Sequence, residues 1–263
     1  MSTRSTASGT ISFGLVTVPF KLYTAATAEG VSFNQITPAG NRVKQLLADT
    51  VTGSFVDRAA LLKGYEYSKG QWVTFTAEEL KTMEAPKTDT AEILEFVPAD
   101  SVDVVNIEKN YYMGPGKGGT KAYGLLAATM KRLGKVAVAR YTTRGREQLV
   151  VIRPYRGGLM MSYVYYANEV RSFEDASGSV ETQFSDEEVA MAEQLVARYE
   201  APSFNVAQYK DEYTSRVEAA VAAKIAGQDV PVAKVVSSDP LMDLFAALKK
   251  SLEVKPTTTT VSP

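Results

Sequence analysis

The side chains that could do chemistry are bunched in one stretch. Between Lys109 and Arg156 the segment KNYYMGPGKGGTKAYGLLAATMKRLGKVAVARYTTRGREQLVVIRPYR carries eleven Lys or Arg against a single acid, Glu147, while the remainder holds eighteen bases and twenty-nine acids. A formal net charge of −1 and a sequence pI near 5.8 therefore conceal one strongly basic segment in acidic surroundings. Ordinary surfaces intersperse the two signs, so this imbalance exceeds that of a solvated outer face. Clustered ammonium and guanidinium groups attract a polyanion, because neutralising phosphates releases condensed counterions and supplies affinity without reading sequence. Since the whole chain is not basic, the polyanion must be held on one face or in a channel. Tyr111, Tyr112, Tyr123 and Tyr141 lie among the bases, but they do not form the paired aromatic platform of a single-strand binder, so duplex backbone is the better match. Candidate phosphate contacts are Lys117, Lys121, Lys131, Arg132, Lys135, Arg144, Arg146, Arg153 and Arg156, with Arg42 and Lys44 from an earlier weak strand. Arg140, set among Val136, Val138 and Tyr141, reads as structural.

Other chemistry is narrowed by what the chain lacks. It has no cysteine and no histidine, which removes disulfides, thiolate nucleophiles, imidazole bases, serine triads and zinc sites built from either residue. A carboxylate-only metal nuclease is the remaining enzyme alternative, and Asp100, Asp103 and Glu108 are its nearest acidic cluster, but they read as solvated turn residues at a strand edge. The glycine-rich run GPGKGGTK invites comparison with a phosphate-binding loop, yet five residues after Gly114 comes Gly119 followed by Thr120, where that motif needs Lys and then Ser or Thr. No cofactor is called for.

These residues need elements to position them. At 263 residues and 45% hydrophobic the chain can bury a full core, and the pattern is β-rich first and helical later, an α+β class. Residues 8–24 alternate in polarity with a change of parity just after Gly14, which predicts one long strand bent or bulged to serve two faces of a barrel or curved sheet. VSFNQI at 31–36 predicts a short strand and NRVKQLLADT a weaker one. KGYEYSKGQWVTF, 63–75, predicts a β-hairpin whose aromatics are core, and Thr76 with Glu79 a capping box opening a short helix. TAEILEFVP, 90–98, reads as a strand burying Ile93 and Phe96. KNYYMGP reads as a strand, GPGKGGTK as a mobile loop, and AYGLLAATMKRLG as a helix with Leu125, Leu126, Met130 and Leu133 inward and Gly134 as its stop. KVAVARYTT, REQLVVIRP and GLMMSYVYYA predict an antiparallel meander.

After Arg171 the pattern turns helical. Ser185 and Glu188 form a second capping box, a longer helix is expected from about Val206 to Ala226, and 228–238 reads as a linker. Residues 239–253 predict a last helix whose stripe of Leu241, Leu244, Phe245, Leu248 and Leu252 either packs on the core or presents itself to a partner, and 254–263 read as a disordered tail. The amino-terminal residues lack a signal-peptide run and no segment has the apolar length of a membrane span, so a soluble intracellular protein with no membrane association is expected.

GTISFGLVTVPFKLYTA, KGYEYSKGQWV, KNYYMGPGKGGTKAYGLL, AVARYTTRGREQLVVIRPY and FNVAQYKDEYTSRVEAAVAAKI together resemble, in order and over roughly residues 8–226, the single-chain Ku proteins of bacteria and their phages. LMDLFAALKKSLE is similar to the segment with which such proteins engage an ATP-dependent DNA ligase. The resemblance implies a Ku-like β-barrel core over 1–172 with an arching bridge, identified with 109–156, and a helical arm over 173–227. It implies a homodimeric ring that loads onto double-stranded DNA ends, in the cytoplasm and on the nucleoid of a bacterial cell or infected host, and a scaffold rather than an enzyme. Two departures stand out. Gln35, Ile36 and Thr37 occupy the place where the family commonly carries a histidine, and the chain ends in threonines rather than a lysine-rich tail, so tail-dependent bridging is not expected.

Overall fold

The computed structural model describes residues 4–28, 30–86, 88–177, 183–229, 248–249 and 251. They divide into two compact units, one within 1–28 and 34–173, the other within 29–33 and 174–263.

The first unit is built on a closed barrel. β1 (Ala7–Phe13) and β2 (Val16–Thr24) form an antiparallel hairpin. Gly14, at φ 54°, reverses the chain through Gly14 and Leu15, so the parity change in this stretch is a tight turn between two strands and not a bend within one. β5 (Thr90–Pro98), β6 (Ile107–Pro115) and the meander β7 (Lys135–Thr143), β8 (Arg146–Tyr155) and β9 (Gly158–Val164) complete the cylinder in the order β1-β2-β6-β9-β8-β7-β5. The barrel closes through its parallel pair, β1 with β5, where Thr10 N–H donates to Asp89 O at 3.0 Å. Gly9 faces that carbonyl and the Phe20 ring so closely that any side chain would overlap them.

Alternation does the rest. Ile11 pairs with Val18, Ala91 with Tyr141, Ala139 with Val150, and Ile152 with Met161, and all of these side chains are buried in the barrel. Each fully buried Phe, Leu, Ile or Met contributes about 1.5–3 kcal/mol. A smaller cluster of Val136, Val151 and Val164 is packed by Val97 and Val102. On β5 it is Ala91 that is fully buried; Ile93 is half-buried and Phe96 is exposed, meeting Phe13 edge to face.

Helix α2 (Thr120–Leu133) follows β6 and leads into β7, and so lies at the end of the barrel where β6 finishes and β7 begins. Its inward side is Tyr123, Leu126, Ala127 and Met130. Leu125 and Leu133, expected inward, are exposed: Leu125 lies one position, about 100°, off that stripe, and Leu133 is the last residue of the helix, where it leaves the barrel. Tyr123 fixes the plug: its hydroxyl donates to Met113 O at 2.6 Å and accepts from Leu159 N–H at 2.7 Å. The glycine-rich run before α2 is also pinned, contrary to its reading as mobile. Gly116 and Gly119 are buried against Pro19, too close for a side chain, and Gly116 N–H donates to Pro19 O at 2.8 Å.

The basic stretch is therefore not an arch. Residues 109–156 supply most of β6 and all of α2, β7 and β8, because their apolar side chains are core and most of their charges occupy strand ends, turns and the outer face of α2. Another stretch with no buried side chain among the described residues lies within 25–88. In it, 31–36 and 41–50 are not strands, contributing only isolated bridges, Ile36 with Arg42 and Ala48 with Phe55, since among the described residues no neighbouring element covers their apolar side chains. β3 (Lys63–Ser68) and β4 (Gln71–Phe75) form the expected hairpin, but Tyr65, Tyr67 and Trp72 are exposed and not core. α1 (Ala77–Thr82) opens with the Thr76–Glu79 capping box.

α3 (Phe173–Ser177) stands at the junction of the units. In the second, α4 (Asp186–Arg198) begins at the Ser185–Glu188 capping box. α5 (Glu212–Ile225) starts later than expected, because Asn205 and Asp211 each bond the backbone ahead of them, turning Val206–Gln208 into a 3-10 turn and making Asp211 the helix cap. Of the carboxy-terminal stripe only Leu248 is described; it is helical and half-buried, while Leu241, Leu244, Phe245 and Leu252 lie outside the described residues. Among the described residues no helix is long and apolar enough to cross a membrane.

Candidate nucleic-acid interface

Burying Tyr123, Leu126, Ala127 and Met130 forces the other side of α2 outward. Lys121, Lys131 and Arg132 lie there, and the flanking Lys117 and Lys135 extend the row. All but the half-buried Lys135 are exposed, and among the described residues none of the five is in an ion pair. Lys121 and Arg132 are separated by about 16 Å of helix axis at 1.5 Å per residue. Gly134, at φ 63°, stops the helix and turns the chain into β7, and Lys131 and Arg132 in the last turn also complement its carbonyl end. Arg156 joins this end of the barrel from the β8–β9 turn. It adopts φ 44°, lies over the Tyr155 ring at 5.3 Å, and shares with Lys131 a shallow groove of about 250 Å³ floored by Gly124, Ala128 and Gly158.

The opposite end of the barrel is a second basic place. β7 carries the chain away from Lys135 by about 26 Å at 3.3 Å per residue. There, Arg144 and Gly145 turn β7 into β8 with φ of 50° and 78°. Arg144 and Arg146 line the mouth of a cavity of about 520 Å³ with Lys109, Gln148, Tyr111, Tyr141 and Tyr163. Lys109 Nζ lies 5.4 Å from the Tyr111 ring centroid, and Glu108 is the one acid among the described lining residues. Burial pushes the phenols of Tyr141 and Tyr163 above the usual tyrosine range, with Tyr141 adding to the effect on Tyr163, so both remain protonated donors.

The structure thus splits the expected phosphate contacts. Lys117, Lys121, Lys131, Arg132, Lys135 and Arg156 come together; Arg144 and Arg146 do not join them. Arg42 and Lys44 are exposed on the extended segment. Arg153 faces outward on β8, but its Nε and Nη2 are buried without a hydrogen-bond partner among the described residues, which leaves them no open path to a phosphate. Arg140 is held by acids, Nη2 to Glu92 at 3.1 Å and Nε to Glu147 at 4.0 Å, in keeping with its structural reading. Asp103 accepts from Val105 N–H at 3.1 Å and caps a 3-10 turn. Among the described residues no three His, Cys, Asp or Glu are grouped to hold a metal. Lys109 and Tyr163 were missed by sequence reading. Their signal is a gradient along inward positions, polar Arg146 and Gln148 before apolar Val150 and Ile152 on β8, and Lys109 and Tyr111 before Met113 on β6.

A closed β-barrel plugged by a cation-faced helix is the class of protein that fold and surface define. The sequence profile of the Ku70/Ku80 beta-barrel domain matches residues 12–191. The chain is 36% identical over 261 residues to the non-homologous end joining protein Ku of Paraburkholderia phymatum, covering 96% of this chain and 83% of the relative. It is 38% identical over 247 residues to the protein of that name from Koribacter versatilis, covering 93% and 84%. A third, from Archaeoglobus fulgidus, is 32% identical over 252 residues, covering 95% and 98%. The chain belongs to the Ku family.

Proposed function

We propose that this chain binds the ends of double-stranded DNA without regard to sequence, as a homodimer that closes a ring around the duplex, and that it protects those ends and recruits an ATP-dependent DNA ligase for double-strand break repair by non-homologous end joining. The observation that carries the reading is the row of unpaired cations on α2. A rigid helix anchored by Tyr123 holds them with their side chains free, the arrangement that phosphate neutralisation needs and base readout does not. Arg156 extends the row, and Arg42 and Lys44 add contacts from the extended segment. The relatives' names supply the pathway. Such a protein is a scaffold: it makes and breaks no covalent bond and uses no cofactor.

Self-association is supported by the 25–88 segment. β3 and β4 make a two-stranded sheet with exposed Tyr65, Tyr67, Trp72 and Val73, and an isolated hairpin is marginal in water, so a second copy is the natural cover. Ligase recruitment rests on the apolar stripe of Leu241, Leu244, Phe245, Leu248 and Leu252 in residues 239–253.

Deleting residues 239–253 tests the recruitment. End binding survives the deletion while stimulation of the ligase is lost. Unchanged stimulation would assign the chain to the simpler reading of an end-blocking protein that recruits nothing through this segment.

A further inference from the structure

The mouth of the barrel is built differently from the α2 face. Its cations stand beside inward-facing aromatic rings at the rim of a concave cavity of about 520 Å³, within the range of small-ligand pockets, and a duplex is too broad to enter it. Tyr111 and Tyr163 approach at 5.3 Å between centroids and Tyr163 and Tyr141 at 6.2 Å, giving an apolar wall with π-faces. Tyr141 Oη is buried in the wall of the cavity, beside the Thr143 side chain but without a well-formed hydrogen bond, so its bonding capacity is not filled. Arg144 and Arg146 are in no ion pair among the described residues. A cation pair, a stacking wall and a phenol with bonding capacity to spare on one cavity answer to a ligand that is anionic at one end, flat at the other and able to accept a hydrogen bond.

We propose that the barrel mouth binds one phosphorylated nucleotide unit, with its phosphate on Arg144 and Arg146 and its base against Tyr111 and Tyr163. The guanidinium forks match phosphate oxygens, and tyrosine faces accept any base. Tyr141 donates its hydroxyl to an acceptor of the ligand, and Gln148 offers a donor and an acceptor to the base edge. The same chemistry is presented by a free 5′-mononucleotide and by the 5′-phosphorylated terminal nucleotide of a single-stranded overhang. The site does not depend on the duplex row on α2, which lies at the other end of the barrel.

Calorimetric titration of the full-length protein with dAMP, deoxyadenosine and inorganic phosphate tests the site, on the parent chain and on Arg146→Gln and Tyr111→Leu. dAMP is expected to bind more tightly than deoxyadenosine or phosphate. Arg146→Gln, an exposed substitution, is expected to weaken dAMP on the order of tenfold, the worth of one charge-assisted contact. Tyr111→Leu is expected to weaken dAMP while leaving inorganic phosphate unchanged. A duplex with a 5′-phosphorylated overhang, compared with its 5′-hydroxyl counterpart, separates the sources: a phosphate preference abolished by Arg146→Gln identifies the terminal nucleotide as occupant, and its absence beside dAMP binding identifies the free nucleotide. Equal dAMP affinity in the parent and Arg146→Gln, or dAMP binding no tighter than that of phosphate, overturns the proposal. Because the titration contains no duplex, that result leaves the end-binding reading intact.

Discussion

Replacing Lys131 and Arg132 together by glutamine probes the cation row at its strongest point. Both side chains are exposed in the last turn of α2 and, among the described residues, unpaired, so little packing is lost; removing two cations from a helix C-terminus costs about 0.3–1 kcal/mol each. In a homodimer the substitution deletes four phosphate contacts. At about 0.9 per contact on duplex DNA, the slope of log affinity against log salt falls by about 3.6. Relative to 1 M salt, four contacts are worth about 4,000-fold at 0.1 M and about 27-fold at 0.4 M, so the defect should shrink steeply as salt rises. Fluorescence anisotropy of a labelled blunt duplex across that range measures both quantities, and thermal unfolding controls for the small helix effect. A loss that is the same at every salt concentration, or no loss, would refute the assignment of this face to phosphate.

Three further outcomes follow from the same geometry. Tyr123→Phe removes the hydroxyl that joins β6 and β9 to α2 and leaves Met113 O and Leu159 N–H unsatisfied, at about 1–3 kcal/mol for each buried group; denaturant titration should show a lower midpoint with an unchanged slope. Arg140→Gln should alter duplex affinity less than about twofold, because Glu92 and Glu147 already hold this guanidinium, and surface ion pairs are worth little; anisotropy checks it against Lys131→Gln. The Glu188 carboxylate accepts from Ser185 N–H and O–H at 2.8 Å each, and the backbone bond and then the hydroxyl hold its pKa below the ordinary 4.5. With the folded value depressed, this cap supports α4 above pH 4.5 and is lost as pH falls through the folded pKa. The protection factor of amides in the first turn of α4, the measured exchange corrected for its intrinsic pH dependence, should fall on acidification and lose that pH step in Glu188→Gln.

Local chemistry was the most legible part of the fold. Both capping boxes, the Gly134 stop, the β3–β4 hairpin and the meander β7–β9 follow from a few neighbouring residues whose geometry is the same in any context. Failures came where distant elements decide. Leu125 and Leu126 are equally apolar, and only the position of the barrel tells which is buried. The aromatics of β3 and β4 look like core because residue type registers hydrophobicity and not whether anything covers it. The basic stretch was the clearest functional signal, yet contiguity in sequence is not contiguity in space. A nine-residue strand separates Lys135 from Arg144, so the charges fall at two ends of the barrel. Arg140 was separable because its apolar neighbours marked it as a wall position; Arg153, also on the outer wall, could be distinguished only by the burial of its guanidinium nitrogens.

The proposed ring is tested most directly by measuring affinity for one duplex as an open linear fragment and as a covalently closed circle, each over a range of salt. A phosphate-lined ring loaded from an end predicts strong binding to the linear form alone, weakening steeply with salt. Equal binding to linear and circular DNA would contradict the ring and leave an open basic face that binds duplex anywhere along its length.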